Sequence, residues 1–300
     1  MPKVSVCIVT YNQEKYIRDC LIGVLNQKIN FNFEIIVCDD CSSDKTSVIL
    51  KEFKEKYPNI IKLTIHEKNI GAYKNTEFAH QQAIGEYICH LDGDDFMLPG
   101  KLQAQVDYLD NHPECNIVWH GMKMINGVSG EVRENIFSEK IYPVGGFKRK
   151  DLLMLGSLAC HSSKMYRTER NNYLKPNYWY IDFYADIQHI GDGRGAYLFE
   201  VLGGYRTSIG ISSMGEETLK ILVQNLNALL DQFPQYKSYL GVFALRIWIR
   251  DTLRKRSTLS ESRKLVRKTL KLKTIFNFVR LLFLLKIMTK IPHKFTKIHI

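Results

Sequence analysis

The chain has 300 residues, 45% of them hydrophobic, with a formal net charge of +11. That length and apolar content support one large domain or a domain with an appendage, and exclude a disordered or fibrous chain. The charge is lopsided: residues 237–300 hold 17 of the 42 Lys and Arg but only Asp251 and Glu261 of the 31 acids, a local excess of +15 that leaves residues 1–236 at −4.

In chain order, Val4–Val9 is a continuous apolar run, the pattern of a strand buried on both faces. Thr10-Tyr11-Asn12 follows as a polar turn, then apolar residues at Ile17, Leu21, Val24 and Leu25 at helical spacing within 13–26. Phe33–Cys38 is a second buried strand. Asp39–Asp44 is a turn, with Asp44 placed to cap a helix running to about Lys56. Ile60–Ile65 reads as a third strand, and Asn69-Ile70-Gly71 opens a helix running to about Ile84. Glu86–Leu91 reads as a fourth strand and ends on Asp92-Gly93-Asp94-Asp95, three carboxylates in four residues. A helix over Lys101–Asn111 and a strand over Asn116–His120 come next. Beyond 121 the pattern is less regular. Glu139–Gly146 reads as a loop, Lys150–Leu155 and Trp179–His189 as helices, Ala196–Tyr205 as a strand, and everything from about 217 as helices.

Strands alternating with helices predict a mostly parallel sheet with right-handed crossovers and helices on both faces. Ligands of such sheets bind at the carboxyl ends of the strands, so the turns at 10–12, 39–44 and 92–95 are expected to converge on one cleft. Carboxylates crowded at a strand end raise one another's pKa, and a hard divalent cation relieves the repulsion. The seven cysteines are an odd number, and five lie in or beside apolar runs, which fits reduced thiols in a cytoplasmic protein. Cys38 and Cys41 have CxxC spacing, but no second pair completes a zinc site. The chain starts directly into a strand, so no signal peptide is expected.

Five segments together resemble the family 2 inverting glycosyltransferases of GT-A fold: VSVCIVTYN at 4–12, EIIVCDDCSSDKT at 34–46, Asn69-Ile70-Gly71 with Asn75, GEYICHLDGDD at 85–95 with Pro99 and Leu102, and Asp182-Phe183 followed by Tyr197-Leu198 and Tyr205-Arg206. The resemblance covers about residues 3–212. It implies a Rossmann-like catalytic domain over 1–214 and a helical, basic C-terminal region over 215–300. It implies that Thr10 and Tyr11 line a nucleotide base, and that Asp40 accepts the imino proton of a uracil or thymine. Lys74 would meet the nucleotide. Asp92 would face ribose and sugar, and Asp94 would ligate Mn²⁺ or Mg²⁺. Asp182 would be the general base, with Asp186 one helical turn further on. Ser208 stands where many relatives carry a metal-reaching His, and His161 where relatives line the acceptor site. The implied activity is transfer of a sugar from a nucleotide-diphosphate sugar, UDP-sugar favoured, to a hydroxyl of a glycan or lipid-linked acceptor in surface-polysaccharide synthesis.

Cations interleave with apolar residues between 246 and 297, and the apolar run 276–288 is too short and too charged to span a membrane. That pattern points to an anionic membrane surface and a peripheral position on the inner face of the cell membrane, the alternative being a helical subdomain that packs its apolar face on the catalytic domain with its cations in solvent. No nucleic-acid recognition motif accompanies the charge, so nucleic acid is not an expected partner. The rival readings are a sugar nucleotidyltransferase, which would want a Gly-rich basic loop after the first strand, and a non-catalytic adaptor of the same fold.

Overall fold

The computed structural model describes residues 1–139, 142–173, 175–209 and 216–289, without the side chains of 216 and 283–289. Strands and helices alternate through the first half: β1 (Val4–Thr10), α1 (Ile17–Leu25), β2 (Phe33–Asp39), α2 (Thr46–Lys56), β3 (Ile61–Ile65), α3 (Ala72–Gln81), β4 (Tyr87–Asp92), a two-residue β5 (Phe96–Met97) and α4 (Lys101–Asn111). Then come β6 (Cys115–Asn126), β7 (Val132–Asn135), α5 (Arg149–Leu155), β8 (Met165–Arg167), α6 (Asp182–Ile190) and β9 (Arg194–Thr207). Four helices close the described chain: α7 (Glu216–Gln232), α8 (Lys237–Leu253), α9 (Leu259–Thr269) and α10 (Leu272–Thr289).

One mixed sheet runs β3-β2-β1-β4-β8-β6-β9-β5, with β7 on β6. The first four strands are parallel; β8 joins antiparallel to both β4 and β6, and β9 lies parallel to β6. The strand period of two sorts the core. Val4, Val6 and Ile8 face α1, α2 and α4 through Leu21, Leu50 and Leu102, whereas Cys7 and Val9 face the other layer through Ala79, Leu153 and Phe183. That second layer also holds Leu226 of α7, Leu240 and Ile247 of α8 and Leu265 of α9. The C-terminal helices through α9 thus share the core beneath the sheet.

Three short strands, β5, β7 and β8, were not expected from the sequence, and β6 runs on to Asn126. The expected helix at 179 starts at Asp182. Within the 139–146 loop, Lys140 and Ile141 lie outside the described residues.

Candidate active site

The loops after β1 and β2 are stitched together. Asn12, held at φ 52°, accepts the Ser43 N–H on Oδ1 at 2.8 Å, and its own N–H donates to Ser42 Oγ at 2.8 Å. Asp39 accepts the Ser42 N–H, three residues on, at 3.1 Å and so closes the turn. Asp44 accepts the Thr46 N–H at 2.9 Å, an Asx-turn leading into α2, and the Glu14 N–H at 3.0 Å; the N-cap position expected of it is held by Lys45, which makes no side-chain cap. Asp40, buried, takes the N–H of Ile70 at 2.7 Å and of Gly71 at 2.9 Å, one on each oxygen. Gly71 has φ 88°, so a side chain there would be strained at the entry to α3. These bonds bring the ends of β1 and β2 and the start of α3 to one place.

The carboxylate turn after β4 is fixed from both sides. Gly93 donates to the Val9 carbonyl at 2.9 Å, and a side chain at 93 would run into Thr10 and Gln13. Asp95 is fully buried, accepting from Ser162 Oγ at 2.5 Å and from the Arg206 N–H at 2.9 Å. The Arg206 guanidinium donates to the Asp94 carbonyl and to Asp19 at 3.1 Å, and lies over the rings of Tyr16 and Phe96. Burial pushes the Asp92 carboxyl up to about 6; burial and the Asp92 charge push Asp94 up to about 7. Among the described residues no Lys or Arg makes an ion pair with the Asp94 carboxylate. Two buried oxygens beside this turn, Thr10 Oγ1 and Gln13 Oε1, have no hydrogen-bond partner. Oxygen donors without partners next to a carboxylate of raised pKa are the donor chemistry a hard divalent cation takes.

A second cluster adjoins it. His90, Asp92 and His161 each offer a ligand atom within 4.8 Å of the others. His90 is a poor ligand there, because both of its ring nitrogens are already hydrogen-bonded and its ring is stacked 3.6 Å from that of His161. His161 and Asp92 remain as contributors, with Nδ1 4.0 Å from Oδ1.

A cleft of about 870 Å³ opens over these turns. Its lining includes Thr10, Tyr11, Gln13, Asp40, Asp92, Asp94, Asp182 and Arg206. Asp182, at the first turn of α6, has its carboxyl raised by burial and accepts its neighbour Phe183's N–H at 2.9 Å. Asp186 is not in the cleft wall. It is buried against Lys164 with 2.7 Å between them. Lys74 is exposed on α3 and Ser208 is exposed at φ 69°; neither lines the cleft. The lining also carries Tyr73, Tyr173, Trp179, Tyr180 and Lys175, which sequence reasoning did not single out as site residues, and His189, which it read as a core or surface residue. The one signal for them was the aromatic run Tyr178-Trp179-Tyr180 just ahead of Asp182. Cys38 is buried and the Cys41 thiol points to the Glu67 carbonyl, and among the described residues no metal-ligating cluster includes the pair.

The family model described as glycosyl transferase family 2 matches residues 5–181. Rv1520 of Mycobacterium tuberculosis is 32% identical over 207 residues, 67% of this chain and 58% of its own. The poly(ribitol-phosphate) beta-N-acetylglucosaminyltransferase TarS of Staphylococcus aureus is 32% identical over 140 residues, 46% of this chain and 24% of its own. The crystal structure of TarS residues 1–349 with UDP-GlcNAc superposes with a TM-score of 0.62 at 24% identity, covering 80% of this chain and 71% of that one. The mannosyltransferase PcManGT from Pyrobaculum calidifontis, solved with GDP-Man and Mn²⁺, does so at 0.56 and 16%, covering 96% and 86%. Both share the fold. The chain spans about three-fifths of the length of the curated relatives it matches first.

Proposed function

The chain belongs to glycosyl transferase family 2, and on that premise we propose that it is a cation-dependent, inverting glycosyltransferase that moves a sugar from a UDP-sugar to a hydroxyl of a glycan or lipid-linked acceptor in surface-polymer synthesis. The observation that carries this reading is the convergence of Thr10, Tyr11, Asp40, Asp92, Asp94 and Asp182 on one cleft. Half-exposed Tyr11 lies at the mouth, where its ring can cover a base. Each Asp40 oxygen keeps a lone pair after its backbone contact, which suits the imino proton of uracil. TarS binds UDP-GlcNAc in this fold, which supports the same donor class. The name of TarS also supports a phosphate-bearing polyol as one acceptor class.

Asp94 would hold the cation, with Gln13, Thr10 and His161 as neighbouring donors. The cation, when bound, would stabilise the charge growing on the departing diphosphate. The transfer is one displacement: the acceptor oxygen bonds to the anomeric carbon, the bond to the diphosphate oxygen breaks, and Asp182 takes the hydroxyl proton. One Asp182 oxygen is engaged by Phe183, so the other is the acceptor for that proton. Burial favours the protonated form and so strengthens the base. Tyr73, Trp179 and Tyr180 supply flat apolar faces for an acceptor sugar.

We place the chain peripherally on an anionic membrane. α10 buries Thr274, Asn277 and Leu281 and turns Leu272, Ile275, Phe276, Val279 and Leu282 outward, beside exposed Lys271, Lys273 and Arg280. No helix among the described residues is long and apolar enough to cross a membrane. The side chains of the 276–288 run beyond Leu282, and residues 290–297, lie outside what the structure describes.

The test is a hydrolysis and transfer screen over UDP-, dTDP- and GDP-sugars with Mn²⁺, Mg²⁺ or chelator. UDP-sugar turnover should need the cation, and Asp94→Ala should cost roughly 10²–10³ in rate. Undiminished activity in chelator or in Asp94→Ala would overturn the cation assignment. Turnover with GDP-sugars alone would overturn the uracil reading of Asp40.

A further inference from the structure

Behind Asp92 lies a line of polar groups that the displacement does not use. Tyr166 Oη is 2.9 Å from His80 Nδ1, His80 Nε2 is 2.9 Å from His90 Nδ1, and His90 Nε2 is 3.0 Å from Asp92 Oδ1. Tyr166 and His90 are completely buried and His80 nearly so. They come from β8, α3 and β4, three elements that meet only in the folded chain.

The chain of bonds has one consistent direction. A carboxylate only accepts, so His90 carries its proton on Nε2 and offers a lone pair on Nδ1. His80 must then donate from Nε2, which leaves its Nδ1 to accept from the Tyr166 hydroxyl. Burial holds both imidazoles neutral, well below the usual histidine range, and holds the Tyr166 hydroxyl protonated. The Asp92 carboxylate at one end therefore sets both tautomers, and the Tyr166 hydroxyl completes the chain by donating to the remaining His80 lone pair.

Among the described residues, the one other side chain within hydrogen-bond distance of the Asp92 carboxylate is Ser162, His161 Nδ1 being 4.0 Å away. Its hydroxyl has a single proton, and it sits 2.5 Å from Asp95 Oδ2 against 3.3 Å from Asp92 Oδ2. The proton belongs to Asp95. Ser162 Oγ meanwhile accepts the Asp92 N–H at 3.0 Å. That leaves His90 as the donor that orients the Asp92 side chain, and the stacked His161 ring closes off its cleft side.

We propose that His90, His80 and Tyr166 are positioning residues for Asp92, a buried hydrogen-bonded relay that aims its carboxylate at the donor. The inference rests on the donor-cleft reading above. It assigns a role to Tyr166, which does not line the cleft.

Two measurements test it. Nitrogen NMR of histidine-labelled protein, with no ligand, should show Nε2–H tautomers at both His80 and His90. In Tyr166→Phe, which keeps the ring and removes one hydroxyl, both should stay Nε2–H, because Asp92 still fixes His90, while the His80 Nδ1 resonance should shift on losing its donor. An Nδ1–H tautomer at either residue of the unsubstituted protein would overturn the relay. Affinity for UDP-GlcNAc with Mn²⁺ should fall roughly 10–100-fold in His90→Phe, in the range for lost partners behind a ligating group. It should be partly restored in His90→Gln, whose amide can still donate to Asp92, and should fall several-fold in Tyr166→Phe. A residue that only supported the fold would lower the melting temperature without moving affinity, and that result would overturn the proposal. Asp92→Asn separates the two levels. If it weakens affinity while His90→Phe and Tyr166→Phe do not, positioning is wrong. If it too leaves affinity unchanged, the donor reading of Asp92 is wrong and the proposal goes with it.

Discussion

Two carboxylates one helical turn apart on α6 have opposite surroundings. Asp182 opens onto the cleft, while Asp186 is enclosed with Lys164, their side chains 5% and 1% exposed. Burial pushes the Asp186 carboxyl up to about 6 even though the Lys164 charge pulls it down. A base already hydrogen-bonded to a buried ammonium has little capacity for a substrate proton. Asp182→Asn should therefore lower transfer by roughly 10²–10⁴ with donor affinity nearly unchanged. Asp186→Asn should instead strand Lys164 as a buried unpaired charge, at a cost of about 3–5 kcal/mol in stability. The check is a paired measurement of single-turnover rate and melting temperature. A stable Asp186→Asn protein with lost activity, beside an active Asp182→Asn, would move the base by one turn. Resemblance to the family picked out Asp182 in the sequence, but what separates it from Asp186 is Lys164, 18 residues before Asp182 in the connection that leads into β8.

At the level of elements, what the sequence made legible followed from local pattern. The runs 4–9, 33–38 and 86–91 are buried on both faces by helices, so they read as strands without reference to their neighbours. The turns that gather the cleft residues were visible for the same reason, since Asp39 and Asp44 do local turn chemistry. β6 shows why the rest was harder. Its apolar run ends at His120, yet the strand continues through Gly121-Met122-Lys123 because β9 pairs along its length, with register shifts at 120–122. β8 is three residues long and exists only because β4 and β6 hold it. Nothing local encodes such a strand, nor the relay that passes through it. His120, at the irregular point of β6, is fully buried; its Nδ1 meets the Gly121 carbonyl at 2.7 Å and its Nε2 has no partner. Burial holds its pKa well below that of an exposed histidine. The sign follows from linkage. Above about pH 6.5 the residue is neutral in both states and contributes no slope; below it the unfolded chain takes a proton that the native chain refuses, so stability is lost as pH falls. The native group would have to be protonated for the loss to level off. His120→Gln should remove that term. The unfolding free energy of the variant, measured relative to the unsubstituted protein by urea titration, should improve by up to about 1.4 kcal/mol per pH unit between pH 6.5 and 5. A difference that stays flat with pH would show that His120 titrates normally in the folded protein.

The molecule as a whole is divided by charge, but the division does not follow the core. The +15 excess begins at 237, yet α8 and α9 bury Leu240, Ile247 and Leu265 with the sheet, and Arg246 donates to the Leu155 carbonyl at 2.7 Å. Removing everything after 236 would therefore open the core, and the membrane proposal needs a gentler probe. α10 provides one. It packs Thr274 and Asn277 inward, Thr274 Oγ1 donating to the Thr269 carbonyl at 2.9 Å, and leaves Phe276 69% and Val279 58% exposed. A helix in water alone would put these faces the other way round. The inversion fits the proposal that the outer face meets an apolar phase, and the flanking cations suit the surface of an anionic bilayer, each contributing about 1 kcal/mol near the headgroups. Phe276→Glu with Val279→Glu alters only exposed positions, so melting temperature and turnover on a soluble acceptor should be unchanged. Sedimentation with vesicles of phosphatidylcholine and phosphatidylserine should fall steeply in the variant. For the unsubstituted protein it should weaken with salt, because screening confines exposed charge to about 8 Å at physiological ionic strength. Equal binding to purely zwitterionic vesicles would reject the electrostatic half of the argument. Undiminished binding by the doubly substituted protein would reject the apolar half. A protein that ignores vesicles but is dimeric until the two glutamates are introduced would assign the face to a second copy of the chain instead.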